Sequence, residues 1–530
     1  MIHHLRASAI ALAAALAAPA AWAETPPDTL IQAWAIDDVI SLDPAEVFEF
    51  TASEVLGNSY QGLVTYDVED VTDIQGEIAE SWEVSEDGLT FTFTIREGLQ
   101  FASGNPITAA DPVYSIQRAV KLNLSPAFIL TQFGLTPENV DDRVRQTGDM
   151  TFELEMDQPY APTLMLYCLT ATVGFVVDSA LVQENEQDGD FGHGWLTTNH
   201  AGSGPFTIRE WRPNEAIVLE RNENYSGEAP SMARAIYRHI PEAATQRLLL
   251  EQGDIDVARN LGPEEVAALE DDEGIEIMSG VKGAVYYLGL NQKNENLAIP
   301  EVREAMKHLV DYQAIADTIM AGQAEVHQAF LPSGFLGALE DNPYSLDVER
   351  ARELLAEAGL EDGFSVTMDT RNTPDITAIA QAIQQTMGDA GITMELIPGD
   401  GQQTLTKYRA RNHDIYIGRW GPDYQDPHTN ADTFARNPDN SDDAEFKPLA
   451  WRNSWEIPEM TAAADAAVLE SDPEARAEMY LELQREHQET SPFVIMFQEI
   501  EVLGLRDDVQ GFVIGPSFND NSFADVTKGG

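Results

Sequence analysis

Residues 78–119, IAESWEVSEDGLTFTFTIREGLQFASGNPITAADPVYSIQRA, constrain what this chain can fold into more than any other stretch. Trp82 and Val84 precede Glu86-Asp87-Gly88, a turn in which the glycine reaches φ > 0 at little cost. Beyond it Phe91, Phe93 and Ile95 alternate with Thr92, Thr94 and Arg96, the period-two pattern of a half-buried strand. Gly98 and Gly104-Asn105-Pro106 bracket a second short strand around Leu99 and Phe101. Thr108 is placed to cap a helix starting near Ala109, with Asp111 favourable in its first turn. The segment therefore reads as a β-hairpin followed by a capped helix.

Other segments extend the alternation. Leu30–Ile36 reads as a strand. Pro300, Val302, Ala305-Met306, Leu309 and Val310 fit an amphipathic helix closed by Gly322. Asp347 to Gly359 reads as a helix with Asp347 as cap and Gly359 as stop, and Pro374 to Gly391 as another, followed by a strand over Ile392–Ile397. Such mixing indicates α/β lobes, and 530 residues suffice for more than one full core.

Residues 1–23 stand apart. Arg6 gives a positive start, Ala7 to Ala18 an apolar run too short to span a membrane, and Ala21-Trp22-Ala23 a cleavage site. A secretory signal removed before Glu24 is expected. Cys168 is the only cysteine, so no intramolecular disulfide can form. Charge is the compositional outlier: 31 Lys+Arg against 90 Asp+Glu, a net of −59. That balance disfavours nucleic acid and anionic membrane surfaces as partners. The acids are dispersed, which fits a self-repelling surface screened by a salty medium, or an attraction for cationic ligands.

The order of residues in 78–119 resembles the signature region of the extracellular solute-binding protein family 5, the peptide, nickel and related receptors of ATP-driven bacterial importers. It is carried by Ala79, Ser81-Trp82, Asp87-Gly88, Phe93, Ile95-Arg96, Gly98, Phe101, Gly104, Pro106, Thr108-Ala109, Asp111, Ser115 and Arg118. Ser41-Leu42-Asp43-Pro44, the GSGPF segment at 202–206, Glu251 to Asp256, Val302 to Ala305, Ala351 to Gly359 and the GRWGPDYQDP loop at 418–427 extend the likeness over nearly the whole mature chain. The resemblance implies an α/β, two-lobed periplasmic binding protein of type II, in the large variant with an extra subdomain. On that basis 24–280 plus 491–530 form the first lobe, with about 63–194 as the subdomain, and 281–490 form the second. Hinge strands are expected near Gly280–Tyr287 and Ser491–Phe497. No cysteine at the cleavage site is available for the lipid anchor that Gram-positive members use, so a soluble, unanchored, monomeric protein in a Gram-negative periplasm is expected, with importer permease subunits as partners.

The resemblance also nominates site residues. Asp423 stands where peptide-binding relatives hold the ligand's α-amino group, because a carboxylate in a closed cleft needs a cation; the alternative is a turn between Pro422 and Pro427. Asp426 is expected to shape the loop. Trp420 and Tyr424 flank Asp423 and offer pocket walls or cation–π contact. Phe48 and Phe50 fall where relatives run a segment along the ligand; two bulky rings there point to a smaller or flatter ligand than an extended oligopeptide. Phe128 and Phe133 lie near another cleft loop. Arg409, Arg411 and Arg419 are candidates for a ligand carboxylate, against pairing with surface acids.

Enzyme signatures are missing: no GxSxG, HExxH, P-loop or CxxC pair occurs. No cofactor or metal is expected, although His413 and His428 near the loop leave a metal chelate open, and the acidic 439–443 segment is expected to be solvated. A solute-binding importer component is the reading, most simply for a dipeptide or oligopeptide. The alternatives are a non-peptide solute (amino-acid derivative, opine, oligosaccharide, aromatic compound or metal chelate), a chemoreceptor adaptor and, more remotely, a periplasmic hydrolase.

Overall fold

The computed structural model describes residues 25–68, 70–444 and 446–529; the expected signal at 1–23 and the expected first mature residue, Glu24, lie outside the described residues. The hairpin forms as its sequence dictates. Ala79–Val84 pairs antiparallel with Thr90–Ile95, placing Trp82 opposite Phe93 and Val84 opposite Phe91. Gly88 takes φ +72° and donates its N–H to Ser85 O at 2.9 Å. Thr151–Glu155 and Val144–Gln146 complete a four-stranded sheet. Phe91, Phe93 and Ile95 share its core with apolar residues of the helices Ala110–Leu122 and Pro162–Thr170.

The short strand expected around Leu99 and Phe101 does not form. A single bridge, Gln100 to Pro106, joins the segment, and both apolar side chains are buried in the core. Gly98 and Gly104 at positive φ, and a proline without an N–H, keep it from building a ladder. The helix begins at Ala110 with Ala109, not Thr108, as its cap residue; Thr108 N–H donates to Asp111 Oδ2 at 2.8 Å, and Ala110 N–H donates to Thr108 Oγ1 at 3.3 Å.

An eleven-stranded mixed sheet runs through the molecule. Its order is Thr393–Gly399, Ser365–Arg371, Ile415–Trp420, Ile275–Leu290, Phe493–Arg506, Val257–Ala258, Thr29–Trp34, Arg234–His239, Ala216–Arg221 and Phe206–Arg212, with Ala324–Val326 added beside Phe493–Arg506. Separate apolar cores cover its two ends. One gathers Leu30, Val55, Tyr237 and Leu503; the other gathers Leu288, Leu354, Ile379 and Met496.

The long strands Ile275–Leu290 and Phe493–Arg506 belong to both ends. Ile275–Val281 pairs with Ile500–Arg506, Val285–Gly289 pairs with Phe493–Gln498, and the register shifts between Val281 and Val285. Within that break Gly283 N–H donates to Pro516 O at 2.9 Å.

The helix expected from Pro300 to Gly322 is interrupted. It ends at Lys307; the Asp311 side chain then accepts from Ala314 N–H at 3.2 Å to start a new turn, and 315–319 are π-helical. The helix Val348–Glu357 is capped by Asp347, which accepts from Arg350 N–H at 2.9 Å, and Gly359 follows at φ +74°. Pro374–Asp389 and the strand Thr393–Gly399 follow as expected.

Candidate ligand-binding site

A cavity of about 460 Å³ opens at the register break of the two long strands, within the size range of small-molecule sites. Lys282, Gly283 and Ala284 form one wall. The parallel strands Ser365–Arg371 and Ile415–Trp420 deliver Arg371, Arg419 and Trp420 from their C-terminal ends, the edge at which open α/β sheets present ligand sites. The loop after Trp420 contributes Pro422 and Asp423, and the first turn of Pro374–Asp389 contributes Asp375. Across from these in sequence, Phe48, Phe50 and the 516–519 segment also line the space.

Two of the charges at this site, Lys282 and Arg419, are already matched. Lys282 Nζ donates to Gly515 O at 2.7 Å, Ser517 O at 3.1 Å and Asn521 Oδ1 at 2.6 Å, and lies 3.0 Å from Glu501 Oε2. Glu501 also pairs with Arg259, which holds Glu54 through two 2.7 Å hydrogen bonds. Burial opposes ionisation of Glu501, but Arg259 and Lys282 outweigh it and bring its pKa down to about 2. This buried network fixes the inner wall rather than offering it to a ligand. Arg419 is 2.9 Å from Glu499 and stacks 4.8 Å over the ring of Phe50.

Asp423 is different. Its backbone N–H donates to Thr429 Oγ1 at 3.1 Å, but among the described residues no side chain pairs with its carboxylate. Burial pushes that carboxyl up to about 7, with Asp432 acting in the same direction and Arg452 against it. A group so placed gains from any cation brought to it.

Of the other nominated residues, Trp420, Phe48, Phe50 and Arg419 line the cavity. Phe48 and Phe50 keep 44% and 40% of their surface exposed, far from a core role. Phe128, 41% exposed, meets Phe48 edge-on at 6.0 Å but does not itself line the cavity; its neighbour Ile129 does. Tyr424 and Arg409 do not line the cavity either. Tyr424 is buried in the core of the four-stranded-sheet region, its hydroxyl 3.4 Å from Gln132 Oε1, because it points to the opposite side of the loop from Asp423. Arg409 ends the helix Gly401–Arg409 on the exposed surface, away from the cavity lining.

Phe133 is fully buried core, and Arg411 is committed to Asn440 and Asp442. The acidic 439–443 segment is thereby tied to Arg411. His413 bonds Asn453 at 3.1 Å and His428 contacts Tyr480 at 3.4 Å; burial pushes them down to about 4 and about 3. Among the described residues no group of three or more His, Cys, Asp or Glu is arranged to hold a metal.

Arg371, Asp375, Lys282 and Phe518 were not anticipated. Arg371 ends a strand and Asp375 begins a helix, so both read locally as ordinary boundary residues; only the parallel-strand topology brings them to the cavity.

The signature residues have another purpose. Arg118 holds Asp43 through bonds of 2.7 and 2.5 Å, and His193 Nδ1 approaches the same carboxylate at 2.8 Å. Ser115 Oγ accepts from Val177 N–H at 3.0 Å, and Asp111 Oδ1 accepts from Ser179 Oγ at 2.7 Å. These buried polar contacts tie the helix Ala110–Leu122 to the segments on either side of it.

A sequence model of the bacterial extracellular solute-binding proteins, family 5 (middle region), matches residues 73–442. The chain belongs to this family. Among curated proteins it is 28% identical over 531 residues to the probable D,D-dipeptide-binding periplasmic protein DdpA of Escherichia coli K12, covering 98% of each chain. Among solved structures it superposes with TM-score 0.80 at 24% identity on the periplasmic binding protein DppA of Helicobacter pylori in complex with the peptide STSA, covering 94% of this chain and 98% of that one. It also superposes with TM-score 0.77 at 22% identity on the binding protein AgaA of A. tumefaciens R10 in complex with agropinic acid, over 95% and 99% of the two chains. The fold is the two-lobed α/β architecture of periplasmic binding proteins. Among the described residues no helix is long and apolar enough to cross a membrane.

Proposed function

We propose that this chain is the periplasmic solute-capturing subunit of an ATP-driven importer, and that its cargo is a dipeptide or short peptide. The observation that carries the reading is the cavity-lining Asp423 carboxylate, which has no cationic partner among the described residues and is held in an environment that resists its ionisation. An α-ammonium group supplies the missing cation. Arg371 lines the same cavity without a carboxylate partner among the described residues and is suited to the α-carboxylate. The names of the relatives, a dipeptide-binding protein and a peptide complex among them, support the same class. In this reading the lobes are 24–280 with 491–530 and 281–490, with about 63–194 as the extra subdomain. They close about the strands Ile275–Leu290 and Phe493–Arg506 and deliver the loaded protein to permease subunits. No chemical step is required.

A thermal-shift panel tests it. A ligand at a hundred times its dissociation constant stabilises the native state by about 2.7 kcal/mol. Dipeptides and short peptides are expected to raise the melting temperature, and the recovered peptide is expected to be intact. Silence from all peptides would overturn the peptide assignment, and hydrolysis of the bound peptide would overturn the transport assignment. A second reading, a compact non-peptide solute such as an opine, is favoured by the half-exposed rings of Phe48 and Phe50. A response to opines or amino-acid derivatives alone would select it.

A further inference from the structure

Lys282, Arg371, Asp375, Arg419 and Asp423 bring ionisable side chains to the cavity wall. Lys282 spends its donors on Gly515, Ser517 and Asn521 and its charge on Glu501. Arg419 spends its charge on Glu499. Arg371, Asp375 and Asp423 remain, and among the described residues none has an oppositely charged side chain paired with it. A zwitterionic peptide with neutral side chains answers Asp423 with its ammonium and Arg371 with its carboxylate. It leaves Asp375 unanswered.

Asp375 is close enough to this centre to bear on Arg419 and Glu499 electrostatically. Its position in the first turn of Pro374–Asp389 also suits the helix dipole, which accounts for an acid there in structural terms. A dipole role alone does not require the side chain to line the ligand cavity.

We propose that Asp375 makes the site selective for peptides carrying a second cation, a lysyl or arginyl side chain, over neutral peptides, and over acidic ones most strongly. The proposal rests on the peptide reading above. Charge complementarity of this kind sets specificity by rejecting the wrong sign as well as attracting the right one. The chain's net charge of −59 acts in the same direction from a distance, raising the encounter rate of cations, but that contribution is screened by salt while a contact inside the closed cleft is screened far less.

The experiment is titration calorimetry of alanyl-alanine, alanyl-lysine, lysyl-alanine and their glutamyl counterparts against the full mature protein and the Asp375→Asn variant, at 0.15 M and 1 M salt. At least one lysyl dipeptide is expected to bind about tenfold more tightly than alanyl-alanine, and both glutamyl dipeptides more weakly. Asp375→Asn is expected to reduce the lysyl preference over alanyl-alanine to about twofold or less. The preference in the unaltered protein is expected to survive 1 M salt in large part.

Equal affinities for lysyl and alanyl dipeptides would overturn the proposal, as would a preference that persists undiminished in Asp375→Asn. A preference abolished by salt alone would assign selectivity to the surface field and overturn it too. If alanyl-alanine binds and lysine confers no advantage, this inference fails while the peptide reading stands. If no dipeptide binds, both fall.

Discussion

Asp426 and Asp423 lie three positions apart on one loop, and the chain treats them oppositely. Asp426 accepts two hydrogen bonds of 2.7 Å from the Arg476 guanidinium and caps the helix Pro427–Phe434 through His428 N–H at 2.9 Å. Asp423 faces the cavity, has no cation paired with it among the described residues, and is pushed up to about 7 by burial. The same division runs through the cations: Arg476 and Arg118 are buried and committed, whereas Arg371 is exposed to the cavity. Type and neighbourhood in sequence do not separate a charge committed to the scaffold from one left unpaired at the cavity. What separates them is whether the fold supplies the counter-ion.

The largest effect is expected on the scaffold side. Arg476→Met strands a fully buried Asp426 carboxylate, and removing one partner of such a pair costs about 3–5 kcal/mol. Urea unfolding of the ligand-free protein reads this directly. A loss below about 1 kcal/mol, the range of exposed ion pairs, would mean that Asp426 is no more committed than Asp423, and the contrast collapses.

On the ligand side, Asp423→Asn is expected to weaken binding of a dipeptide ammonium by about 2–5 kcal/mol, the range for breaking a buried charge pair. Folding should respond with the opposite sign. A carboxyl whose folded pKa is raised from 3.8 to about 7 favours the native state below its unfolded pKa, and that advantage is lost as pH rises through 7. At pH 8 the ligand-free Asn variant is therefore expected to be at least as stable as the parent. A variant that binds normally and folds poorly would return Asp423 to the role of a turn residue.

The raised pKa also predicts a pH slope. Below about pH 7 a cationic ligand must displace a proton from Asp423, so affinity is expected to fall by up to tenfold, about 1.4 kcal/mol, for each further unit of acidity. Calorimetry between pH 5 and 7.5 measures the slope, and buffers of different ionisation enthalpy count the proton released. Asp423→Asn should flatten the profile. A slope that survives this substitution belongs to another group.

The contrast also marks how far the sequence could be read. The hairpin, the Asp347 cap and the Asp423 loop were legible because local patterning and a dense motif agree there. Asp43 and Arg118 were legible only as motif members; their 75-residue separation hid the ion pair that gives them a purpose. Arg371 and Asp375 were invisible because a strand end and a helix start become a cavity wall only when parallel neighbours align them. Tyr424 was misplaced for a simpler reason: the loop bends at 423–426, Tyr424 packs into the core while Asp423 lines the cavity, and the motif gave the position without the direction. The break of the helix after Lys307 was missed because apolar Leu309 and Val310 keep the expected spacing while lying buried outside the helix.

The smallest effect is expected one residue beyond Asp423. Tyr424 turns its ring into the core formed by the 45–176 region, and its hydroxyl reaches Gln132 Oε1 at 3.4 Å, beyond the usual hydrogen-bond range. Tyr424→Phe keeps the ring and removes that contact, so the stability loss should not exceed about 0.5 kcal/mol, the lower end for a hydrogen bond. Because the side chain faces away from the cavity, peptide affinity should stay within about twofold of the parent, less than 0.5 kcal/mol. Paired with Asp423→Asn, the substitution measures how sharply the loop divides its two faces. A tenfold loss of affinity in Tyr424→Phe would place the hydroxyl in communication with the ligand, and the boundary between scaffold and site would then have to be drawn after Tyr424 rather than before it.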